Sequence, residues 1–296
     1  MTPMATGSLR ASAVLAAFFG LTVPLMPVQA ILLRVSDRAA RRFPHWYHRQ
    51  VCRLLGVKLN IEGSVAKGAP VLLVCNHTSW LDIPVLSALA PVSFVAKLEV
   101  GSWPFVSALA RLQRSVFVDR TRRLAAGDAA NAITMRLQQG DTIVLFPEGT
   151  SSDGNRVLPF KTSLFGAVAG ATVPAAEQVV VQTAAVVYTH MHGVPVTRAE
   201  RPRIGWYGDM EMTSHAWGVL KSGAITVTIK VGPPVPLTDF KDRKDLALKS
   251  ERAIRRDVLA ILRGRPDGDE LVPVEPSEEA RRTKVAAPVR KSDKWT

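Results

Sequence analysis

The longest uninterrupted apolar run lies near the start of the chain: no charged side chain occurs from Ala11 to Leu33, and Arg10 and Arg34 bound the run. As a helix these 23 residues are long enough to cross a hydrocarbon core of about 30 Å. Pro24 and Pro27 fall inside the run, so a broken helix or a re-entrant hairpin stands as an alternative to a straight span. A secretory signal with Val28-Gln29-Ala30 as its cleavage site is a further reading. Against it, Arg10 is the only basic residue ahead of the run, and the strongly basic segment after residue 33 opposes translocation. The expectation is an N-terminal membrane anchor with the body of the protein on the cytoplasmic side.

Beyond the anchor the pattern changes twice. Residues 35 to 56 mix Arg and His with Phe43, Trp46, Tyr47, Val51, Leu54 and Leu55. This predicts an amphipathic helix, either lying at a membrane interface or forming an ordinary surface helix. From Val57 onward, short β-rich runs alternate with helical ones. Strands are expected at 57–62, 70–75, 92–96, 115–118, 142–146, 178–188, 203–206 and 224–231, and helices at 80–89, 103–112, 122–139 and 160–169. Such alternation predicts an α/β fold, a layered domain whose central mostly parallel or mixed sheet is flanked by helices. Leu246, Ile254, Val258 and Leu262 recur at helical spacing between Lys241 and Arg263, and Gly264 and Pro266 stop that helix. Proline and charge dominate afterwards, which predicts disorder. Three regions follow: an anchor with its basic helix (1–56), a catalytic-sized domain (57–265) and a disordered tail (266–296).

Charge narrows the list of partners. The net charge of +13 points to an anionic partner, either nucleic acid or a lipid surface. The tail from Arg265 is neutral, with seven Lys/Arg against seven Asp/Glu, whereas residues 34–58 hold seven Lys/Arg against Asp37 alone. A basic cluster directly after an apolar run fits an anionic membrane surface, and the low aromatic content beside an anchor argues against nucleic acid. Cys52 and Cys75 are the only cysteines. They read as buried free thiols, and no His/Cys spacing suits a metal.

The chemistry concentrates where the run 70–75 ends, at Asn76-His77-Thr78-Ser79-Trp80-Leu81-Asp82. The carboxyl end of a buried strand is where α/β sheets place their sites, and His77 is suited to moving protons near neutral pH. Asp82, past a strand–turn–helix corner, is positioned to orient the imidazole. The spacing Ser79-x-x-Asp82 equally matches a capping box, in which the carboxylate binds backbone amides. Other chemistries fail on inspection. Gly149-x4-Gly154 is followed by Asn155 rather than the lysine of a phosphate loop, and the G-x-S-x-G elbow of a serine hydrolase does not occur.

The segment 76–82 resembles the NHxSxxD signature of the glycerolipid acyltransferase superfamily, which includes 1-acylglycerol-3-phosphate acyltransferases. Two further ordered segments are similar to the family's blocks: Ser115-Val116-Phe117-Val118-Asp119-Arg120 and Phe146-Pro147-Glu148-Gly149-Thr150. A fourth block, a proline-containing strand near 180–187, lacks its proline here. The resemblance implies that His77 and Asp82 are catalytic, and that Lys97, Arg120, Glu148, Gly149 and Thr150 serve the acyl acceptor. It also implies an acyl-CoA or acyl carrier protein donor, a lysolipid acceptor and no cofactor. Many phosphate-using members continue the third block with an arginine where this chain has Ser151. The stretch Glu148–Lys161 and the run Trp206-Tyr207-Gly208-Asp209-Met210 resemble lyso-ornithine lipid O-acyltransferases instead. The expected activity is therefore acylation of lyso-ornithine lipid at the inner membrane, with Asp153 and Asp209 as candidate partners for a cationic headgroup. Lysophosphatidate acylation is the alternative enzyme, and a membrane-bound lipid-binding adaptor the alternative without catalysis.

Overall fold

The computed structural model describes residues 3–118, 125–166 and 179–264. The tail expected to be disordered (266–296) and the Arg120 position lie outside the described residues. So do residues 167–169 of the helix expected over 160–169.

A run of apolar residues with polar neighbours only at its end makes β2 (Val71–Cys75), whose five side chains are all buried. Their alternation sends Val71, Leu73 and Cys75 into one core and Leu72 and Val74 into another. A strand buried on both faces has to sit mid-sheet under two layers of helix. The sheet consists of β1 (Val57–Glu62), β2, β3 (Ser93–Lys97), β4 (Val116–Val118), β5 (Thr142–Leu145), β6 (Val180–Met191), β7 (Val194–Pro195), β8 (Ile225–Val231) and β9 (Val235–Pro236). Its order is β1-β8-β6-β2-β5-β3-β4, with β7 and β9 also pairing with β6. The pairs β2–β5, β2–β6, β3–β5 and β3–β4 are parallel, and so is β1–β8. β8 runs antiparallel to β6, so the sheet is mixed, as the strand pattern predicted.

One face carries α1 (Pro3–Val35), α2 (Asp37–Leu55) and α3 (Asp82–Leu89); the other packs on α5 (Ala125–Gln138) and α7 (Arg243–Leu262). Two further helices, α4 (Val106–Leu112) and α6 (Met212–Ser222), lie against α1. Two expected elements differ. Residues 203–206 form no strand: a 3-10 turn at Arg201–Arg203 leads into irregular backbone. The amide of Trp206 there bonds the carbonyl of Thr78 across the top of the sheet rather than a neighbouring strand. The helix expected from 160 begins as a 3-10 turn at Thr162–Phe165, because the Lys161 amide is drawn to the Pro147 carbonyl and that of Phe160 to Glu251.

α1 is continuous over 33 residues through both prolines, and it is long and apolar enough to cross a membrane. Three of its polar residues, Arg10, Thr22 and Gln29, bond into the domain. Arg10 donates to the carbonyls of Leu55 and Leu220. Thr22 Oγ1 pairs with Tyr47 Oη at 2.7 Å, and Gln29 Nε2 donates to Ala40 and Leu112 carbonyls, both at 2.9 Å. Leu15, Phe19, Val23, Ile31 and Val35 are exposed, all at multiples of four residues. That is the reverse of a water-facing helix, which turns its polar residues outward. α2 starts at a Ser36 cap and ends at Gly56, whose φ of 76° supplies the left-handed turn. Its buried side holds Tyr47, Val51 and Leu55, while Arg38, Arg42, Trp46, Arg49 and Arg53 are exposed at helical spacing.

Candidate active site

The carboxyl end of β2 delivers Asn76 and His77 to the rim of the sheet. Asn76 is buried and stitches the rim to β6, accepting from the Val186 amide at 2.8 Å and donating to the Val186 carbonyl at 2.9 Å. The chain then turns into α3, and Asp82, with no exposed surface, reaches back under the turn. Its Oδ2 meets His77 Nδ1 at 2.8 Å and accepts from the amides of Thr78 at 2.7 Å and Ser79 at 3.0 Å. The two readings of Ser79-x-x-Asp82 thus coexist in one carboxylate, which caps the turn and fixes the imidazole. The reciprocal half of a capping box is missing, because the Ser79 hydroxyl makes no hydrogen bond among the described residues.

Tyr188, on β6, fills the remaining side of the carboxylate: its hydroxyl donates to Asp82 Oδ1 at 2.6 Å. Burial, reinforced by the adjacent Asp82, holds this phenol well above its ordinary range, so it stays a donor. The sequence reading missed Tyr188, since it looks like one more large residue in the strand Val-Val-Tyr-Thr-His.

With Nδ1 committed to Asp82, Nε2 is the nitrogen of His77 left for chemistry. The side chain retains 20 % exposure and lines a cleft of about 830 Å³. Phe146 stacks on the imidazole with centroids 4.2 Å apart, and Phe94 stacks on Phe146 at 6.3 Å. The segment 146–150 does more than line the cleft. Gly149 N bonds the Phe146 carbonyl at 3.2 Å, and its φ of 73° is one that glycine adopts readily. Glu148 is turned inward: its Oε1 accepts from the His77 amide and its Oε2 from the Leu158 amide, each at 2.7 Å. Burial pushes its pKa up to about 7 despite those two bonds. Ser152 N bonds the His77 carbonyl at 2.9 Å, so the backbone of His77 is held on both sides by this one segment.

Of the acceptor-side residues read from the sequence, Lys97, Gly149 and Thr150 line the cleft together with His77. Glu148 is only 1 % exposed and is not among the lining residues. Asp153 is occupied in its own loop by the amide and side chain of Asn155. Asp209 is exposed next to Gly208, a lining residue. Ser151 lines the cleft and donates to the Trp206 carbonyl. Away from this polar end, α1, α2 and α4 wall the cleft with residues such as Phe18, Leu25, Val51 and Leu109.

Comparisons with known proteins place most of the chain among relatives. A family profile described as acyltransferase matches residues 57–202. A lyso-ornithine lipid O-acyltransferase from Brucella abortus is 46 % identical, over 88 % of this chain and 97 % of its own. One from Rhizobium meliloti is 45 % identical over 81 % and 83 %. A 1-acyl-sn-glycerol-3-phosphate acyltransferase from Neisseria gonorrhoeae is 32 % identical over 67 % and 74 %. The crystal structure of the 1-acyl-sn-glycerophosphate acyltransferase PlsC from Thermotoga maritima shares the fold, with a TM-score of 0.63 at 22 % identity over 89 % of this chain and 97 % of that one.

Proposed function

The chain belongs to the acyltransferase family, and from that premise we propose that it moves a fatty acyl group from an acyl thioester to the hydroxyl of lyso-ornithine lipid, forming ornithine lipid. The observation carrying the chemistry is the His77 ring, tied to Asp82 through Nδ1 while it faces the cleft. In this reading Nε2 takes the proton of the acceptor hydroxyl as the oxygen attacks the thioester carbonyl. The tetrahedral adduct then collapses, the carbon–sulfur bond breaks, and the same Nε2 returns the proton to the departing thiolate. Asp82 stabilises the imidazolium formed in between. The attacking group belongs to the substrate, so no enzyme nucleophile, metal or cofactor takes part in the scheme.

Glu148 acts here as a positioning residue for the His77 backbone, while Lys97, Gly149 and Thr150 remain on the acceptor side. The apolar part of the cleft suits hydrocarbon chains. The donor is acyl-CoA or an acyl carrier protein thioester; either is anionic and suits a basic body. The domain would be held at the cytoplasmic face of the inner membrane, with the outward apolar row of α1 in hydrocarbon and the exposed arginines of α2 at anionic headgroups.

A panel of lysolipid acceptors tests this with the purified full-length chain. Wild type is expected to prefer lyso-ornithine lipid over lysophosphatidic acid. His77→Ala is expected to lower kcat by about 10⁴-fold, the upper range for loss of a general base, while still binding vesicles. A wild type that acylates lysophosphatidic acid far faster overturns the acceptor; a His77→Ala enzyme with normal turnover overturns the base.

A further inference from the structure

The side chains lining the cleft are overwhelmingly uncharged. Among the described residues, Lys97 and Glu99 are the only lysine, arginine, aspartate or glutamate in the lining. His48 also contributes, but burial depresses it to about 4, so it lines the cleft as a neutral group. Among the described residues, then, one positive and one negative side chain stand close together in the lining. A carboxylate at that place would repel a phosphate monoester.

Both residues sit at one corner of the fold. Lys97 ends β3, and Glu99 is the second residue of the 3-10 turn Leu98–Ser102 that follows. Both are exposed, and neither side chain has a hydrogen-bond or ion-pair partner among the described residues. The corner is tied to the base through stacked rings: Phe94, three residues before Lys97, stacks on Phe146, which stacks on His77. Two residues of backbone keep the Cα atoms of the pair within about 7 Å of each other, and each charge sits at the end of a long side chain. An ornithine whose α-amine is in an amide carries a free carboxylate and, three methylenes away, a free ammonium, so its two opposite charges are presented together as the pair's are.

We propose that Lys97 and Glu99 form a zwitterion-reading pair, Lys97 receiving the carboxylate of the acceptor headgroup and Glu99 its side-chain ammonium. Glu99 is then the residue that separates amino-acid lipids from phosphate lipids at this site. The inference rests on the acceptor class of the preceding section and assigns the cation's partner to Glu99 rather than to Asp153, whose carboxylate is engaged in its own loop.

The test pairs two acceptors with two variants of the full-length protein in mixed micelles. One acceptor is N-(3-hydroxyacyl)-ornithine; the other is its norvaline counterpart, identical except that the terminal amine is missing. Wild type is expected to favour the ornithine acceptor by about tenfold in kcat/KM, the order expected of one charge-assisted contact. The preference should reside in KM and should fall to near unity in Glu99→Gln, while Glu99→Asp retains part of it. A Glu99→Gln enzyme that keeps the full preference overturns the pair and leaves the acceptor assignment intact. A wild type that takes neither amide but acylates lysophosphatidic acid overturns the acceptor assignment, and the pair falls with it. Because the comparison is between acceptors on one protein preparation, partial misfolding of a variant lowers both rates and does not imitate the result.

Discussion

Two buried aspartates sit near opposite ends of the sheet's parallel strands and show how differently one side chain is used. Asp82, at the carboxyl end of β2, is surrounded by two backbone amides, the Tyr188 hydroxyl and the His77 ring. Asp141, just before β5, is surrounded by guanidinium groups: Arg41 at 3.0 Å, Arg114 at 3.2 Å and Arg136 at 3.5 Å. Arginine does not give up its proton in proteins, so the Asp141 cluster is fixed in charge and ties α2, the segment before β4, α5 and β5 together. The neighbour of Asp82 is an imidazole, a group able to take up and release a proton, so that cluster is not fixed in charge by its chemistry. A buried carboxylate among permanent cations is a fastening; one among neutral donors and an imidazole has the surroundings that the proposed proton transfer needs.

The sharpest way to break this comparison is Asp82→Asn. The amide keeps most of the shape but cannot stabilise an imidazolium, and kcat is expected to drop by about 10³-fold. Asp141→Ala should do the opposite, lowering unfolding free energy by about 3 kcal/mol because three guanidiniums lose their counter-charge. Turnover per folded molecule should survive, as measured by activity normalised to the native fraction. A large kcat loss in folded Asp141→Ala would erase the distinction.

Glu148 sharpens the comparison through pH. Its folded pKa of about 7 lies above its unfolded value, with burial the main cause. The folded state therefore binds this proton more tightly. The resulting stabilisation is full below about pH 4.5 and is lost as pH rises through about 7, an order of 3 kcal/mol in all. Denaturant melts across this window should show the decline in wild type, and it should flatten in Glu148→Gln. The smallest effect is expected for Tyr188→Phe, which removes one of the four donors around Asp82: a loss of about tenfold or less in kcat, from a net hydrogen-bond contribution of about 1 kcal/mol.

Much of the fold was readable because hydrophobic periodicity is a local property. β1 and β2, the helices α3 and α7, and the α2 pattern of buried apolar and exposed arginine positions all follow from side-chain order alone. The exceptions were segments whose backbone partners are distant in sequence. Residues 203–206 have a strand's composition, but the Trp206 amide bonds Thr78. At the site, His77 and Asp82 were legible because five residues of chain bring them together across one turn. Glu148 was legible as part of a motif but not as the inward carboxylate that holds the His77 and Leu158 amides. Tyr188 was invisible, since it meets Asp82 across 106 positions of sequence.

The sequence by itself determined most of the strands and helices, where the basic charge lies, and that a histidine and an aspartate share a corner at the end of a buried strand. Only the tertiary structure decided whether that aspartate caps the turn or holds the imidazole, and it does both, because β6 brings a hydroxyl to one oxygen while the turn and the imidazole take the other. It also decided that Arg10, Thr22 and Gln29 of α1 bond into the domain, and that Lys97 and Glu99 are the Lys, Arg, Asp or Glu side chains lining the cleft among the described residues. Periodicity and charge counts report what each residue is. Which groups a buried carboxylate meets, and what net charge a cleft presents, depend on strands and helices that come together only when the sheet closes.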